Sequence, residues 1–154
     1  MMNHDESIQC FQDLLSEFAR RTGLESLTPD EDNGCRIIID GQLPLDIDSV
    51  PETGALFLHA PLCDIPTKPS VEFFRTFLEA SLFGSQTLGA NFGIDSDTNE
   101  IILFREMSLG ATSPEQLENE MTDFIATLDT WKERVAPHHQ TTNIHNDNNQ
   151  AIRA

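Results

Sequence analysis

The segment TLGANFGIDSDTNEIILF, residues 87–104, decides the fold of the middle of this chain. Between Thr87 and Ile94 the residues alternate, which places Leu88, Ala90, Phe92 and Ile94 on one face of a strand. Five polar residues follow, and then the apolar run Glu100–Phe104. Alternation with a period of two is typical of a β-strand, and strands joined by so short a turn pair antiparallel. The segment therefore predicts a β-hairpin.

The same segment resembles the calcium loop of an EF-hand. Asp95, Asp97 and Asn99 occupy ligand positions one, three and five of such a loop, and Glu106 occupies position twelve. However, Glu100 stands at the sixth position, where the sharp turn needs glycine, and the flanking segments are strands instead of helices. We therefore expect a hairpin without a calcium site.

Length and composition indicate a single cytoplasmic domain. A chain of 154 residues with 38% hydrophobic residues can bury a substantial core, and no apolar run approaches the length of a membrane span. The N-terminus lacks the basic and apolar parts of a signal peptide. Cys10, Cys35 and Cys63 are odd in number and widely spaced, which argues against a disulfide framework or a structural zinc site.

The charge of the chain restricts its partners. The sequence has 26 acidic and 9 basic residues, which gives a formal net charge of −17. Such a surface repels phosphate backbones and anionic membranes, so nucleic-acid and membrane binding are not expected. A basic or weakly charged polypeptide is favoured as a partner.

Helical periodicity and strand signals together predict the element order α-β-β-β-α-β-β-α. The first helix is predicted over Ser7–Thr22, and the last begins after the N-cap Ser113 and ends at Pro137. Strands are predicted over Cys35–Asp40, Leu43–Asp48 and Gly54–Ala60. We therefore predict an α+β fold with three helices and a twisted antiparallel sheet of about five strands. Residues 1–136 form the single domain, and residues 137–154 form a disordered polar tail.

The middle helix, predicted over Ser70–Phe83, has too wide an apolar face for one packing partner. Its apolar residues spread over about 200° of the helical wheel, against roughly 100° for a helix packed on one side. Either the helix is deeply buried within one subunit, or it forms the contact of a symmetric dimer, which we favour in so small a chain.

The strands show a similar excess of apolar residues. Ile38, Phe57, Ile102 and Phe104 are predicted to face away from the residues that would contact the helices. A partner subunit or a bound polypeptide would cover these side chains, unless the register differs from the one assumed.

Catalytic interpretations have weak support. His59 and Cys63 could act as base and nucleophile, but nothing beside Cys63 is expected to lower its pKa. Asp40, Asp46 and Asp48 could supply paired carboxylates, although aspartate is common in turns. We predict no enzymatic activity and no cofactor or metal. The tail histidines, such as His138, are expected to be solvated.

The motifs LLSEFARRTGLESL, DEDNGCRIIIDG, FFRTFLEASLFG, LGANFGIDSDTNEIIL and SPEQLENEMTDFIATLDTW occur in this order between about Ser7 and Val135. In order, spacing and acidic background they resemble the class I type III secretion chaperones, the Tir chaperone (CesT-like) family. The resemblance implies a bacterial cytoplasmic homodimer that binds the N-terminal chaperone-binding segment of one or more secreted effectors. It would keep that segment extended, soluble and secretion-competent, and a secretion ATPase is a further implied partner.

The resemblance also implies roles for individual residues. It assigns the dimer interface to the middle helix, at Phe73, Phe74, Phe77, Leu78 and Ser81. Ser81 stands where family members often have asparagine. We predict that the effector-binding groove involves Phe11, Leu15, Ile37, Ile39, Leu45 and Ile47.

Two other functions remain open. The same dimer could be a regulatory anti-activator that sequesters a transcriptional control protein of the secretion system. A small enzyme or a calcium sensor is the third alternative.

Overall fold

The computed structural model describes the backbone of residues 2–151 and the side chains of residues 2–136. Its element order confirms the predicted α-β-β-β-α-β-β-α arrangement. The elements are α1 (His4–Thr22), β1 (Gly34–Ile39), β2 (Leu43–Val50), β3 (Ala55–Asp64), α2 (Val71–Ser81), β4 (Asn91–Asp95), β5 (Glu100–Ser108) and α3 (Pro114–Ala151). Within the described residues, no helix is long and apolar enough to cross a bilayer.

The five strands form one antiparallel sheet in the order β1-β2-β3-β5-β4. Helix α1 packs against α3, and α3 packs against β3, so these helices cover one face of the sheet. That face supplies core residues such as Leu45, Ile47, Leu58 and Leu103, which are fully buried. Because side chains alternate along each strand, the opposite face of the sheet carries the intervening residues.

Capping groups determine where α1 begins and ends. Asn3 and Glu6 form a reciprocal capping box, which starts the helix three residues before the predicted Ser7. Gly23 ends it in the left-handed conformation, with φ of 71°, and its N–H donates to the carbonyl of Ala19.

Helix α3 begins as predicted but does not end as predicted. Ser113 and Gln116 form a capping box at its start, with hydrogen bonds of 3.1 and 2.8 Å. The helix continues to Ala151, so the predicted end at Pro137 is wrong. Proline removes one backbone hydrogen bond and bends a helix without necessarily ending it. The predicted disorder of residues 137–154 stays a prediction, and the side chains of the tail histidines lie outside the described residues.

The predicted hairpin is confirmed, with β4 and β5 paired from Asn91 opposite Phe104 to Asp95 opposite Glu100. Strand β4 is shorter than expected, because residues 84–90 form turns instead of extended chain. Gly89 N–H donates to the carbonyl of Gly84, and Leu88 has a φ of 50°. Gly89, which lies within the alternating segment, therefore serves a turn.

Strand β3 is longer than predicted and continues past Pro61 to Asp64. A register shift between Pro61 and Cys63 accommodates the proline, which cannot donate a ladder hydrogen bond. Beyond this shift, Cys63 packs against the core.

Candidate functional site

Helix α2 leaves a stripe of large apolar side chains uncovered. Val71, Leu78, Leu82 and Phe83, here called the α2 stripe, are 79%, 71%, 59% and 96% exposed. Val71 and Leu78 are seven residues apart, which places them on one side of the helix, and Leu82 and Phe83 follow directly after its end. Apolar surface of this kind marks an interaction site in a soluble protein.

The backbone after α2 holds Phe83 away from the rest of the chain. Phe83 has a φ of 57° in the short 3₁₀ turn Leu82–Gly84, a conformation that costs energy for a bulky residue. Gly84 follows, and a Cβ there would lie 2.5 Å from the Cα of Gly89. The close approach of these two glycines therefore fixes the turn that presents the Phe83 ring.

The inner side of α2 is anchored in an aromatic cluster. The ring of Phe77 lies 5.1 Å from that of Phe92 and 5.9 Å from that of Trp131, and Phe73 packs edge-on against Phe77. The indole N–H of Trp131 donates to the carbonyl of Gln86 at 3.1 Å. These contacts hold α2 beside β4 with the α2 stripe facing outward.

Ser81 also ties α2 to the sheet. Its hydroxyl oxygen accepts a hydrogen bond of 3.0 Å from the N–H of Phe92 in β4. Because β4 is an edge strand, this bond satisfies a backbone donor that would otherwise have no strand partner. The side chain of Ser81 is thus used within its own chain.

The predicted dimer residues therefore occupy different environments. Leu78 is exposed, Phe73 and Phe74 are half-buried, and Phe77 is 4% exposed. Of the predicted set, only Leu78 is an exposed large apolar side chain in the single chain. Their role in a dimer stays a prediction.

A second apolar surface lies on the sheet face opposite α1 and α3. Val50, Phe57, Ile102 and Phe104 are half-buried there and line a depression of about 540 Å³, here called the outer groove. The sequence predicted that Phe57, Ile102 and Phe104 would share this face, and the register confirms it. Ile38, on the edge strand β1, is also exposed.

Acidic side chains border the apolar floor of the outer groove. Its lining includes Asp48, Asp95 and Asp97, together with His59. The Nε2 of His59 lies 2.5 Å from an Asp48 carboxylate oxygen, and this hydrogen bond raises the pKa of His59. Asp46, the cross-strand neighbour of His59, accepts two hydrogen bonds from Arg36 at 2.8 and 2.9 Å.

Most of the predicted effector-binding residues lie in the core instead of a groove. Phe11, Leu15, Ile37, Leu45 and Ile47 are at most 6% exposed, and Ile39 is half-buried against the core. They form the inward row of each element, which packs between the sheet and α1. A client could not reach them without opening the core, so their role in binding stays a prediction that this burial does not favour.

The chemistry of Cys63 argues against its use as a nucleophile. Burial raises the pKa of its thiol to about 11, so the thiol is protonated near neutral pH. The bulge at Pro61 turns Cys63 toward the core, whereas His59 faces the outer groove. The structure therefore does not assemble the base and nucleophile pair considered from the sequence.

Sequence reasoning missed Val71, Leu82 and Phe83 as candidate interface residues. The wide apolar face of the middle helix was the sequence feature that indicated an exposed apolar surface. Leu82 and Phe83 end the predicted helix and belong to this feature. The left-handed turn at Phe83 could not be read from the pattern, because it depends on the contact between Gly84 and Gly89.

Comparison with known proteins identifies relatives of this arrangement. A family model described as Tir chaperone protein (CesT) family matches residues 13–132. A comparison with curated protein sequences gave no match.

Several solved structures are similar to the chain. A chain of the HopA1-SchA chaperone-effector complex has a TM-score of 0.71 and 21% identity, over 82% of this chain and 96% of that chain. For the ExsC-ExsE complex the TM-score is 0.70 and the identity 23%, over 82% and 93% of the two chains. The Yersinia pestis type III secretion chaperone SycH, in complex with a stable fragment of YscM2, gives 0.63 and 20%, over 79% and 98%.

At these identities the solved structures establish the shared fold, and the family model covers most of the chain. The chain belongs to the Tir chaperone protein (CesT) family.

Proposed function

We propose that the chain is a cytoplasmic type III secretion chaperone that acts as a homodimer. It binds the N-terminal chaperone-binding segment of one or more effectors and keeps that segment extended, soluble and secretion-competent. Membership of the Tir chaperone protein (CesT) family supports the chaperone function. The similarity of its fold to a chain of a chaperone-effector complex supports the choice of an effector as client.

The observation that carries this proposal is apolar surface left uncovered on two separate faces. The α2 stripe lies at the β4 side of the sheet, and the outer groove lies on the face opposite α1 and α3. One of these surfaces is assigned to a second copy of the chain and the other to a client.

The α2 stripe suits a symmetric contact. In a two-fold dimer the same surface of each copy is buried, so four exposed side chains become eight in the interface. Arg75 flanks the stripe and pairs with Glu79 at 2.8 Å on its own helix, so it needs no partner from the second copy. The remaining surface of the dimer keeps both outer grooves open.

The client is an extended segment without a fold of its own. Such a segment loses chain entropy on binding, and burial of apolar side chains together with backbone hydrogen bonds offsets this loss. The outer groove offers Phe57, Ile102 and Phe104 for burial. Strand β1 is the outermost strand on its side of the sheet and offers an edge for strand addition.

Affinity purification of the tagged chain from its native bacterium, followed by mass spectrometry, tests the proposal. A secreted protein recovered in stoichiometric amount, and bound through its N-terminal segment, would support it. Recovery of a transcriptional regulator alone would support the anti-activator function instead. Repeated recovery of no partner would contradict both. Delivery to the secretion ATPase is a further prediction, tested by adding the ATPase to the purified complex.

A further inference from the structure

The outer groove combines an apolar floor with an acidic border, and this combination selects one chemical class of client. We propose that the outer groove binds polypeptide segments in which lysine or arginine flanks the apolar side chains. Asp48 is the main residue that pairs with the positive charge of the segment. The inference rests on the proposed chaperone function and adds the charge specificity of the client segment.

Asp48 is a carboxylate of the groove that forms no ion pair with a lysine or arginine among the described residues. Asp46 is only 16% exposed and is already neutralised by two hydrogen bonds from Arg36. Asp48 is 40% exposed, and its side-chain ion-pair partner is the imidazole of His59, which carries charge only when protonated. A client lysine or arginine can therefore approach Asp48 without displacing a permanent cation.

A second carboxylate strengthens the negative potential beside Asp48. A Cβ at Gly34 would lie 2.8 Å from Asp48 Oδ1 and 3.3 Å from Asp30 Oδ2, so both carboxylates border the same backbone position. Asp30 accepts hydrogen bonds from the backbone N–H groups of Asp32 and Gly34, which do not cancel its charge. The absence of a side chain at Gly34 leaves room for both anions.

No lysine or arginine is found among the described residues that line the outer groove. At the far end, Asp95 accepts backbone hydrogen bonds in the hairpin turn, and Asp97 is exposed beside it. A segment with flanking glutamate or aspartate would place like charges on both sides of the floor. Charge therefore discriminates between segments that have the same apolar residues.

The charge also argues against a second copy of the chain as the occupant. Each copy carries a net charge of −17, and the groove borders are acidic in both, so the two surfaces would repel. Beside the α2 stripe, in contrast, the acidic residues Glu72 and Glu79 are paired with Arg75, so its border carries both signs of charge. We therefore assign the outer groove to a cationic polypeptide segment.

Three synthetic peptides with the same leucine and phenylalanine pattern, flanked by lysine, serine or glutamate, test the proposal. Fluorescence anisotropy with the full dimeric chain should give the order of affinity lysine, serine, glutamate. Asp48→Asn should weaken the lysine peptide by about fivefold, as expected for one partly exposed ion pair. It should leave the serine peptide nearly unchanged.

A matched control separates this effect from the overall acidity of the protein. Asp123 is exposed on α3, and Asp123→Asn removes the same charge away from the groove. It should leave the affinity for the lysine peptide nearly unchanged. Equal effects of the two substitutions would overturn the proposal, because a general field would then explain the binding.

Methyl NMR of the unmodified protein gives a readout that does not depend on a variant. The lysine peptide should shift the signals of Ile102 and Ile94, both of which line the groove, and should leave those of Val71 and Leu78 unchanged. Shifts confined to the α2 stripe, or dissociation of the two copies on peptide addition, would overturn the proposal, because the peptide would then bind at the α2 stripe and not in the outer groove. Binding of all three peptides with equal affinity would refute the charge specificity while leaving the chaperone function supported.

Discussion

Leu78→Asp should convert the dimer to a folded monomer. Leu78 is 71% exposed in the single chain and lies in the middle of the α2 stripe, so its replacement disturbs no contact within the core. In the proposed dimer, however, the new carboxylate of each copy would be buried in the contact between the two α2 stripes.

The size of the effect follows from the exposed side chains. Full burial of a large apolar side chain contributes about 1.5–3 kcal/mol, so the exposed fractions of the α2 stripe give about 6 kcal/mol per copy. Loss of Leu78 removes about 3 kcal/mol from the dimer as a whole. Two buried and unpaired carboxylates add about 4 kcal/mol of cost. The dissociation constant should therefore rise by about 10⁵-fold.

Light scattering coupled to size-exclusion chromatography measures the outcome. The unmodified chain should have about twice the monomer mass of 17.2 kDa, and Leu78→Asp should have that monomer mass with an unchanged thermal midpoint at high dilution. Thr76→Asp is the matched control, since Thr76 is exposed on the same helix away from the stripe. A Leu78→Asp variant that stays dimeric would refute the assignment of the interface to α2.

Three further predictions concern stability. Phe77→Ala should lower the free energy of unfolding by about 3–5 kcal/mol, measured in urea, because Phe77 anchors the aromatic cluster of its own chain. Ser81→Ala should cost about 1–2 kcal/mol and speed hydrogen exchange at the Phe92 amide, which loses its acceptor. The Asp48 hydrogen bond raises the pKa of His59 above its ordinary 6.5, so charged His59 stabilises the fold fully below pH 6.5. That contribution is lost as pH rises through the higher pKa of the folded protein, and His59→Gln should remove the dependence; an unchanged slope would contradict it.

The order of elements could be predicted because each element carries its own local signal. The helical spacing of the apolar residues in α1, the capping box of α3, the short polar turn before Glu100 and the alternating strands are all readable over a few residues. These signals do not depend on tertiary contacts. Because the ends of β3 and β4 do depend on tertiary contacts, the local signals do not predict where these strands begin and end.

The ends of the strands depend on contacts between distant residues. Residues 87–90 alternate like a strand, but the approach of Gly84 to Gly89 and the hydrogen bond from the Thr87 hydroxyl to the Ala90 carbonyl fold them into a turn. Pro61 was expected to end β3, and a register shift allows the strand to continue. Neither feature has a signature in the sequence alone.

The wide apolar face of the middle helix correctly predicted that the helix has more apolar surface than one packing partner covers. The sequence did not show which of these residues are buried in the chain and which are exposed. Half of the face, including Phe77, packs against β4 and α3, while Leu78 and Phe83 remain exposed. A substitution at Phe77, one of the predicted dimer residues, would therefore perturb the folding of its own chain. Which apolar residues form the core is decided by the packing of α1 and α3 on one face of the sheet.

The central claim is that the apolar surface exposed on one copy of the chain binds both a second copy and a client. Native mass spectrometry of the chain purified from its own bacterium tests this claim most directly. The predicted result is a complex of two copies of the chain with a secreted protein, in which the N-terminal segment of that protein is protected from protease. A stable single copy of 17.2 kDa, without any bound protein, would contradict the claim.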